Sequence, residues 1–272
     1  MICHPELVSG SSHSKTLGST QKEKVVVSSM GQMLNQVQHD KKKKAAFTLA
    51  EVLITLGIIG VVAAMTLPTL IQNHRKHEVE TKLAKIYSVV NQAIKLSTVE
   101  YGEPQYWSDW DCGKFGTPTC TIDEAVDRFN KYIGKHLQIL KIDKDEDDNS
   151  FYVYIKDGGI LKVNTCLYDI VFLINEKART DYKRGVNSFS FRFQPVVAEA
   201  WQNSTPEGLA KIERSIGTIF EPYVYGWDGT MDNLTDTSKN YACGGDKGIN
   251  TYCTKLIQLN GWKIPKDYPL KF

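Results

Sequence analysis

One carboxylate lies inside the most apolar stretch of this sequence, and its chemistry is the hardest in the chain to satisfy. Residues 47–67 form a run of 21 residues whose only charged side chain is Glu51. As a helix, this run is about 31 Å long at ~1.5 Å per residue, which matches the ~30 Å hydrocarbon core of a bilayer. A carboxylate at the centre of a membrane helix costs roughly 2.5–3.5 kcal/mol, and less near its end. We therefore expect Glu51 to have a cationic partner.

The residues that flank this run define its limits but not its orientation. Four lysines, Lys41 to Lys44, precede it, and Pro68 follows it at a point where we expect the helix to stop or kink. Basic residues also follow the run, among them Arg75 and Lys76. The numbers of basic residues on the two sides of the run are therefore nearly equal. An excess on one side usually sets the orientation of a membrane helix, and here it does not.

The segment from Lys44 to Ile54 resembles the cleavage and methylation signature of type IV pilins and type II secretion pseudopilins. The resemblance implies that a prepilin peptidase cuts between Ala46 and Phe47 and that Phe47 is then N-methylated. It also implies that Glu51 neutralises the terminal amine of a neighbouring subunit during assembly. Pro68 stands where this family often kinks its helix. The family usually has Gly before the cut, and this chain has Ala46.

The resemblance further implies a structural subunit rather than an enzyme. Such a subunit is a single-pass protein of the inner membrane, with its globular domain in the periplasm or on the cell surface. Its implied partners are other pilin or pseudopilin subunits, the peptidase that also methylates, and an inner-membrane assembly platform. The alternative readings are a signal peptide cut after Ala64, a membrane-anchored binding module or adhesin that does not polymerise, and an anchored hydrolase.

Composition indicates three parts in the 272 residues. Residues 1–46 read as a leader with seven lysines and three acidic residues, and Met30 and Met33 are alternative starts within it. Residues 47–100 read as one helix with a membrane half and an amphipathic half, and residues 101–272 as a globular domain. The chain after residue 46 carries a net charge of −2, so charge offers no argument for nucleic-acid binding, and no cofactor is expected.

The amphipathic half has one apolar stripe at spacings of three and four residues, which predicts the seat of the globular domain. Leu96 is a further candidate for this stripe. Its other members are Val79, Leu83, Ile86, Val90, Ala93 and Ile94.

The remaining pattern predicts an α+β fold in which the long helix packs on an antiparallel sheet of about four strands. A Thr121–Glu124 capping box opens a second helix near 122–138, whose stripe continues to Leu140. Residues 143–148 read as an acidic turn. The four strands are expected at 151–156, 159–163, 169–174 and 188–193, with a hairpin turn at Asp157-Gly158. Short helices are expected from Ser204 and over 251–259, the latter ending at Asn260-Gly261.

Four of the six cysteines form two local pairs that suit disulfides in an oxidising compartment and bound the C-terminal loop region. Cys3 lies in the leader and Cys166 is left over; the connectivity remains open. The candidate disulfide cysteines are Cys112, Cys120, Cys243 and Cys253.

Metal and catalytic motifs are weak. The Asp143, Asp145, Asp147 spacing begins like a calcium loop but lacks its Gly and its Glu, so a solvated turn is the better interpretation. The hydrolase alternative depends on His136, because it is the one histidine of the predicted globular part. A second set of acidic residues is a weak calcium candidate: Asp228, Asp232, Asp236 and Asp246.

Overall fold

The computed structural model describes residues 47–107, 109–110, 112–114, 117–118, 120–156, 159–195 and 217–272. The chain divides into two units, residues 1–52 and 53–272. In the first unit, the described residues are 47–52, the start of the long helix. The leader, the Asp157-Gly158 turn and the helix expected from Ser204 lie outside the described residues.

A single helix of 53 residues, α1 (Leu49–Tyr101), contains the apolar run and the amphipathic stripe, as predicted. The stripe is buried from Val79 to Ile94. Its next buried member is Ser97, whereas the Leu96 side chain is 53% exposed, so the assignment of Leu96 to the stripe was wrong. Ser97 lies four residues after Ala93 and three after Ile94, the spacing that keeps one helical face towards the core.

Helix α2 (Ile122–Tyr132) begins at the predicted capping box but is shorter than expected. A 3₁₀ turn at Gly134–His136 follows it. A Cβ atom at Gly134 would lie 2.3 Å from Asn130 Oδ1, so a larger residue here would require the Asn130 side chain to move. Leu140, expected on the stripe of this helix, is instead 67% exposed on the first strand of the main sheet, and that expectation was wrong.

The main sheet has six antiparallel strands in consecutive order, two more than predicted. They are β3 (Ile139–Asp145), β4 (Ser150–Ile155), β5 (Ile160–Asn164), β6 (Asp169–Leu173), β7 (Ser188–Gln194) and β8 (Gly217–Pro222). A two-stranded ribbon, β1 (Gly113–Lys114) with β2 (Thr117–Pro118), precedes α2. The two strands that were missed are the edges β3 and β8. Asp143 and Asp145 therefore belong to a strand, and the acidic turn is confined to the residues after them.

The core lies between one face of this sheet and the two helices α1 and α2. Alternate strand residues point into it, including Phe189, Phe191 and Phe193 of β7. The loop after α1 also contributes, because Trp107 and Trp110 are buried and the Trp107 ring stacks on Tyr132 at 4.4 Å. This packing joins the amphipathic half of α1 to the sheet.

The C-terminal region contains α3 (Met231–Thr235) and α4 (Cys253–Leu259), followed by a tail that returns to α1. Gly261 takes a φ of +68° just after α4, a conformation that glycine adopts without strain, so the helix ends as predicted. Beyond it, the Trp262 ring lies 4.9 Å from the Tyr87 ring of α1. The Ile264 N–H donates to Glu80 Oε1 at 2.9 Å. The tail is thus held on the long helix.

Candidate functional site

The first turn of α1 positions the carboxylate that the sequence singles out. Glu51 Oε2 accepts hydrogen bonds from the Thr48 backbone N–H and from Thr48 Oγ1, both at 2.8 Å. In return, the Glu51 N–H donates to Thr48 Oγ1 at 3.2 Å. These reciprocal contacts form a capping box, in which each residue satisfies a backbone amide at the helix start. The carboxylate is therefore held beside the amino end of the helix, next to Phe47.

Thr48 is the residue of this site that sequence reasoning missed. The signal was available, because Thr48 and Glu51 have the Thr-x-x-Glu spacing of a capping box, the same spacing that was recognised at Thr121 and Glu124. Phe47 is 86% exposed. Ala46, on the other side of the expected cut, lies outside the described residues.

The apolar run offers an uncovered surface to other molecules. Every side chain from residue 47 to 75 is exposed except Ala63, which is half-buried. Helix α1 is the one helix of the described residues that is long and apolar enough to cross a membrane, and none of its apolar window is buried. A Cβ atom at Gly57 or Gly60 would meet nothing within 4 Å, so these positions leave open space for the close approach of another helix.

Pro68 lies inside α1, and the helix continues through it. Proline cannot donate to the carbonyl four residues before it, which weakens the helix at this point. The kink that we expect at Pro68 stays a prediction.

Two of the four weak calcium candidates, Asp228 and Asp236, use their carboxylates locally. Asp228 Oδ1 accepts from the Thr230 N–H at 2.8 Å and from its hydroxyl at 2.7 Å. Asp236 Oδ1 accepts from the Ser238 N–H and hydroxyl in the same way, and the bonds from these neighbours lower the pKa of both aspartates. Among the residues that the structure describes, no three His, Cys, Asp or Glu side chains come together in a group that could hold a metal ion.

The acidic residues of β3 are also engaged with protein groups. Lys141 donates to Asp143 Oδ2 at 2.9 Å, and Arg179 lies 3.2 Å from the same oxygen. The bond from Lys141 lowers the pKa of Asp143. Asp143 is therefore paired with basic side chains on an edge strand.

His136 lies beside an acid rather than in a catalytic group. Its Nε2 atom is buried and is 3.5 Å from Glu100 Oε1, and it makes no hydrogen bond within the described chain. Lys135 donates to the same carboxylate, which lowers the pKa of Glu100. No hydroxyl or thiol of the described residues donates to this ring, so nothing here favours the hydrolase alternative.

Two disulfides close the local cysteine pairs. They join Cys112 to Cys120 and Cys243 to Cys253. Cys166 remains a buried thiol. The second disulfide joins α4 to the loop before it, so it holds together the region from which the tail departs.

These features define a class of protein. A long apolar helix at the amino end, an antiparallel sheet packed on its second half, and a disulfide in the C-terminal region make a membrane-anchored, pilin-like α+β protein. The family model of the prokaryotic N-terminal methylation motif matches residues 41–67, which is the signature of type IV pilins and pseudopilins.

The chain belongs to the family described as a family of unknown function (DUF6613), whose model matches residues 69–272. The two matches together cover the apolar run and the whole of the domain that follows it. No curated protein and no solved structure matches the chain.

Proposed function

We propose that this chain is a structural subunit of a filament, either a pseudopilin of a type II secretion system or a minor pilin of a type IV pilus. The observation that carries the proposal is Glu51, an acid on an uncovered apolar helix, within a methylation motif. Prepilin peptidase cuts between Ala46 and Phe47 and methylates Phe47. The new amine and the carboxylate are then only four residues apart in sequence.

Assembly follows from the cost of an acid in lipid. In the single subunit, Thr48 supplies two hydrogen bonds to Glu51, but it supplies no positive charge. The terminal amine of a neighbouring Phe47 supplies that charge, and the paired ions set the axial register of the two helices. Gly57 and Gly60 allow the helices to approach closely, so packing of the apolar halves stabilises the pair.

The remaining partners follow from the same role. The inner-membrane assembly platform collects the anchored subunits, and the globular domain lies outside the cytoplasm, where its two disulfides are stable. The function requires no cofactor and no catalytic turnover.

Processing is tested by mass spectrometry of the amino terminus of the protein isolated from membranes. We expect a chain that begins at Phe47 and carries one added methyl group. A chain that retains Lys41 to Lys44, or one trimmed beyond Ala64, contradicts the proposal.

Assembly is tested with Glu51→Gln, which keeps the shape of the side chain and removes its charge. We expect incorporation into sheared filaments to fall at least about tenfold, since the neighbouring amine loses an ion pair worth more than ~1.4 kcal/mol in lipid. The variant should still be processed and inserted. Incorporation is measured by immunoblot of the filament fraction from cells that contain the assembly machinery.

Thr48→Val is the matched control, because it removes a hydroxyl bond to the carboxylate but keeps the charge. We expect it to be incorporated within a few-fold of the unmodified chain. Equal incorporation of Glu51→Gln and the unmodified chain would contradict the role of Glu51 in assembly. Absence of the unmodified chain from the filament fraction, with display at the membrane unchanged in Glu51→Gln, would favour the alternative of an anchored binding module that does not polymerise.

A further inference from the structure

The turn of α1 that follows the apolar run carries positive charge that the protein leaves largely uncompensated. His74, Arg75 and Lys76 are consecutive, and the side chains of Arg75 and Lys76 make no hydrogen bond or ion pair among the described residues. Arg75 is exposed and Lys76 is half-buried. We call residues 74–76 the basic collar.

The acids of the next turn are occupied by other cations. Glu78 Oε1 lies 2.7 Å from Lys82 Nζ. Glu80 accepts from Lys263 Nζ at 3.0 Å and from the Ile264 N–H at 2.9 Å. The acids that follow the collar are therefore paired with other groups rather than with Arg75 and Lys76.

The position of the collar along the helix matches a membrane surface. The last large apolar side chains before the collar are Leu67, at the end of the run, and Leu70 and Ile71 beyond it, and all three are at least 50% exposed. Residues 74–76 lie about 4.5–7.5 Å beyond Ile71 along the helix axis, at ~1.5 Å per residue. The headgroup layer on each side of a bilayer is roughly 5–8 Å deep, so the collar lies at the level of the lipid headgroups when Ile71 marks the edge of the hydrocarbon core.

We propose that the basic collar binds the headgroups of anionic phospholipids and so anchors the unassembled subunit at the outer surface of the membrane. This proposal depends on the membrane placement given above. Three consecutive residues span about 200° of the helix circumference, so the collar distributes its basic side chains over more than half of the helix surface. Charge complementarity and continuity with the membrane-spanning run both favour lipid as the occupant of this surface.

The proposal adds a consequence for processing. Before the cut, four lysines flank the amino end of the run; after it, they leave with the leader. The collar is then the largest basic cluster beside the run, and entry into a filament requires these contacts with lipid to be exchanged for contacts with other subunits.

The test uses the full chain in detergent micelles, titrated with phosphatidylglycerol or with phosphatidylcholine of the same acyl chains. Native mass spectrometry counts the bound lipids. We expect the chain to prefer phosphatidylglycerol, and Arg75→Gln/Lys76→Gln to weaken that binding about 25-fold, or roughly fivefold per basic residue. Binding of phosphatidylcholine should be unchanged.

Lys85→Gln/Lys95→Gln is the control, because it removes the same charge from the same helix further from the run. It should keep the preference for phosphatidylglycerol. Equal losses in the two double variants, or no preference in the unmodified chain, overturn the proposal. Displacement of the lipid by excess inorganic phosphate also overturns it, since this would indicate a site for the free anion rather than a lipid surface.

Carbonate extraction of membranes separates this inference from the proposed function. If the chain is extracted as a peripheral protein, the membrane-spanning role fails, and this inference fails with it. If the chain stays in the membrane but shows no preference for the anionic lipid, only the inference about the collar is wrong.

Discussion

Some carboxylates of this chain are held by groups that lie far from them in the sequence. Glu80 of α1 is the clearest case within the described residues. Burial raises the pKa of Glu80, but the Ile264 N–H, the Lys263 ammonium and nearby His77 together outweigh it and lower the pKa below its ordinary value of 4.5. The ionised form is thus the one that holds the tail.

Glu80→Gln should release the tail at neutral pH. We expect a loss of about 1–2 kcal/mol in the free energy of unfolding, because hydrogen bonds to a charged acceptor are replaced by weaker ones. The change is measured on the full chain in detergent by denaturant unfolding, with hydrogen exchange of residues 262–272 as the local measurement.

The pH dependence of this effect has a definite sign. Since the pKa of Glu80 is lowered in the folded protein, its contribution is present above pH 4.5 and is lost as the pH falls through the folded value. The difference between Glu80→Gln and the unmodified chain should therefore shrink in acid. A difference that persists unchanged in acid contradicts the role of the ionised carboxylate.

At the scale of elements, an asparagine of α1 covers the outer edge of the main sheet. The Asn91 side chain of α1 donates to the Phe220 carbonyl oxygen at 2.9 Å and accepts from the Phe220 N–H at 2.9 Å. It therefore satisfies both backbone groups of one residue on the outer strand β8, as a neighbouring strand would. Open strand edges are sites of unwanted pairing, so this contact both attaches β8 to α1 and blocks its edge at Phe220.

Asn91→Ala should loosen β8 specifically. We expect a cost of about 1–3 kcal/mol, because two buried backbone groups lose their partners. The Phe220 amide should exchange its hydrogen faster, as measured by hydrogen exchange and mass spectrometry of the full chain.

Gln92→Ala tests whether this effect is specific. Gln92 is exposed on the same helix and its side chain donates to Ser88 Oγ, so its change should stay within about 0.5 kcal/mol. Similar exchange at Phe220 in both variants would show that Asn91 does not hold the edge.

At the scale of the molecule, two local disulfides brace a domain whose long helix leaves half its length uncovered. The Cys243–Cys253 bond lies at the base of the C-terminal tail, which in turn contacts α1 through Trp262 and Ile264. The tail is therefore stabilised by the disulfide that precedes it in the sequence and by the contacts of Trp262 and Ile264 with α1.

Cys243→Ser/Cys253→Ser should lower the free energy of unfolding by about 2–4 kcal/mol, since removal of the cross-link restores chain entropy to the unfolded state. Exchange should increase in residues 241–272. The variant Cys112→Ser/Cys120→Ser should leave exchange in that region unchanged, because its disulfide closes a separate loop. Equal exchange of residues 241–272 in the two variants would contradict the local role of the second disulfide.

The elements with a strong local pattern were predictable from the sequence. The apolar run, the stripe from Val79 to Ile94, the capping box at Thr121 and the alternating aromatics of β7 each repeat at the period of the structure that they form. The edge strands β3 and β8 were missed for a physical reason. An edge strand is only partly buried, so charged residues such as Lys141 and Asp143 are tolerated there and remove the alternation.

By itself, the sequence determined that this chain has one membrane-length helix with an acid near its start, and that a mixed α+β domain follows. Spacing along the chain contains this information, because helices and strands repeat over a few residues. Only the tertiary structure decided which distant groups meet: Asn91 with Phe220, and Glu80 with a backbone amide 184 residues away. Such contacts depend on how elements pack, and packing brings together residues that share no local pattern.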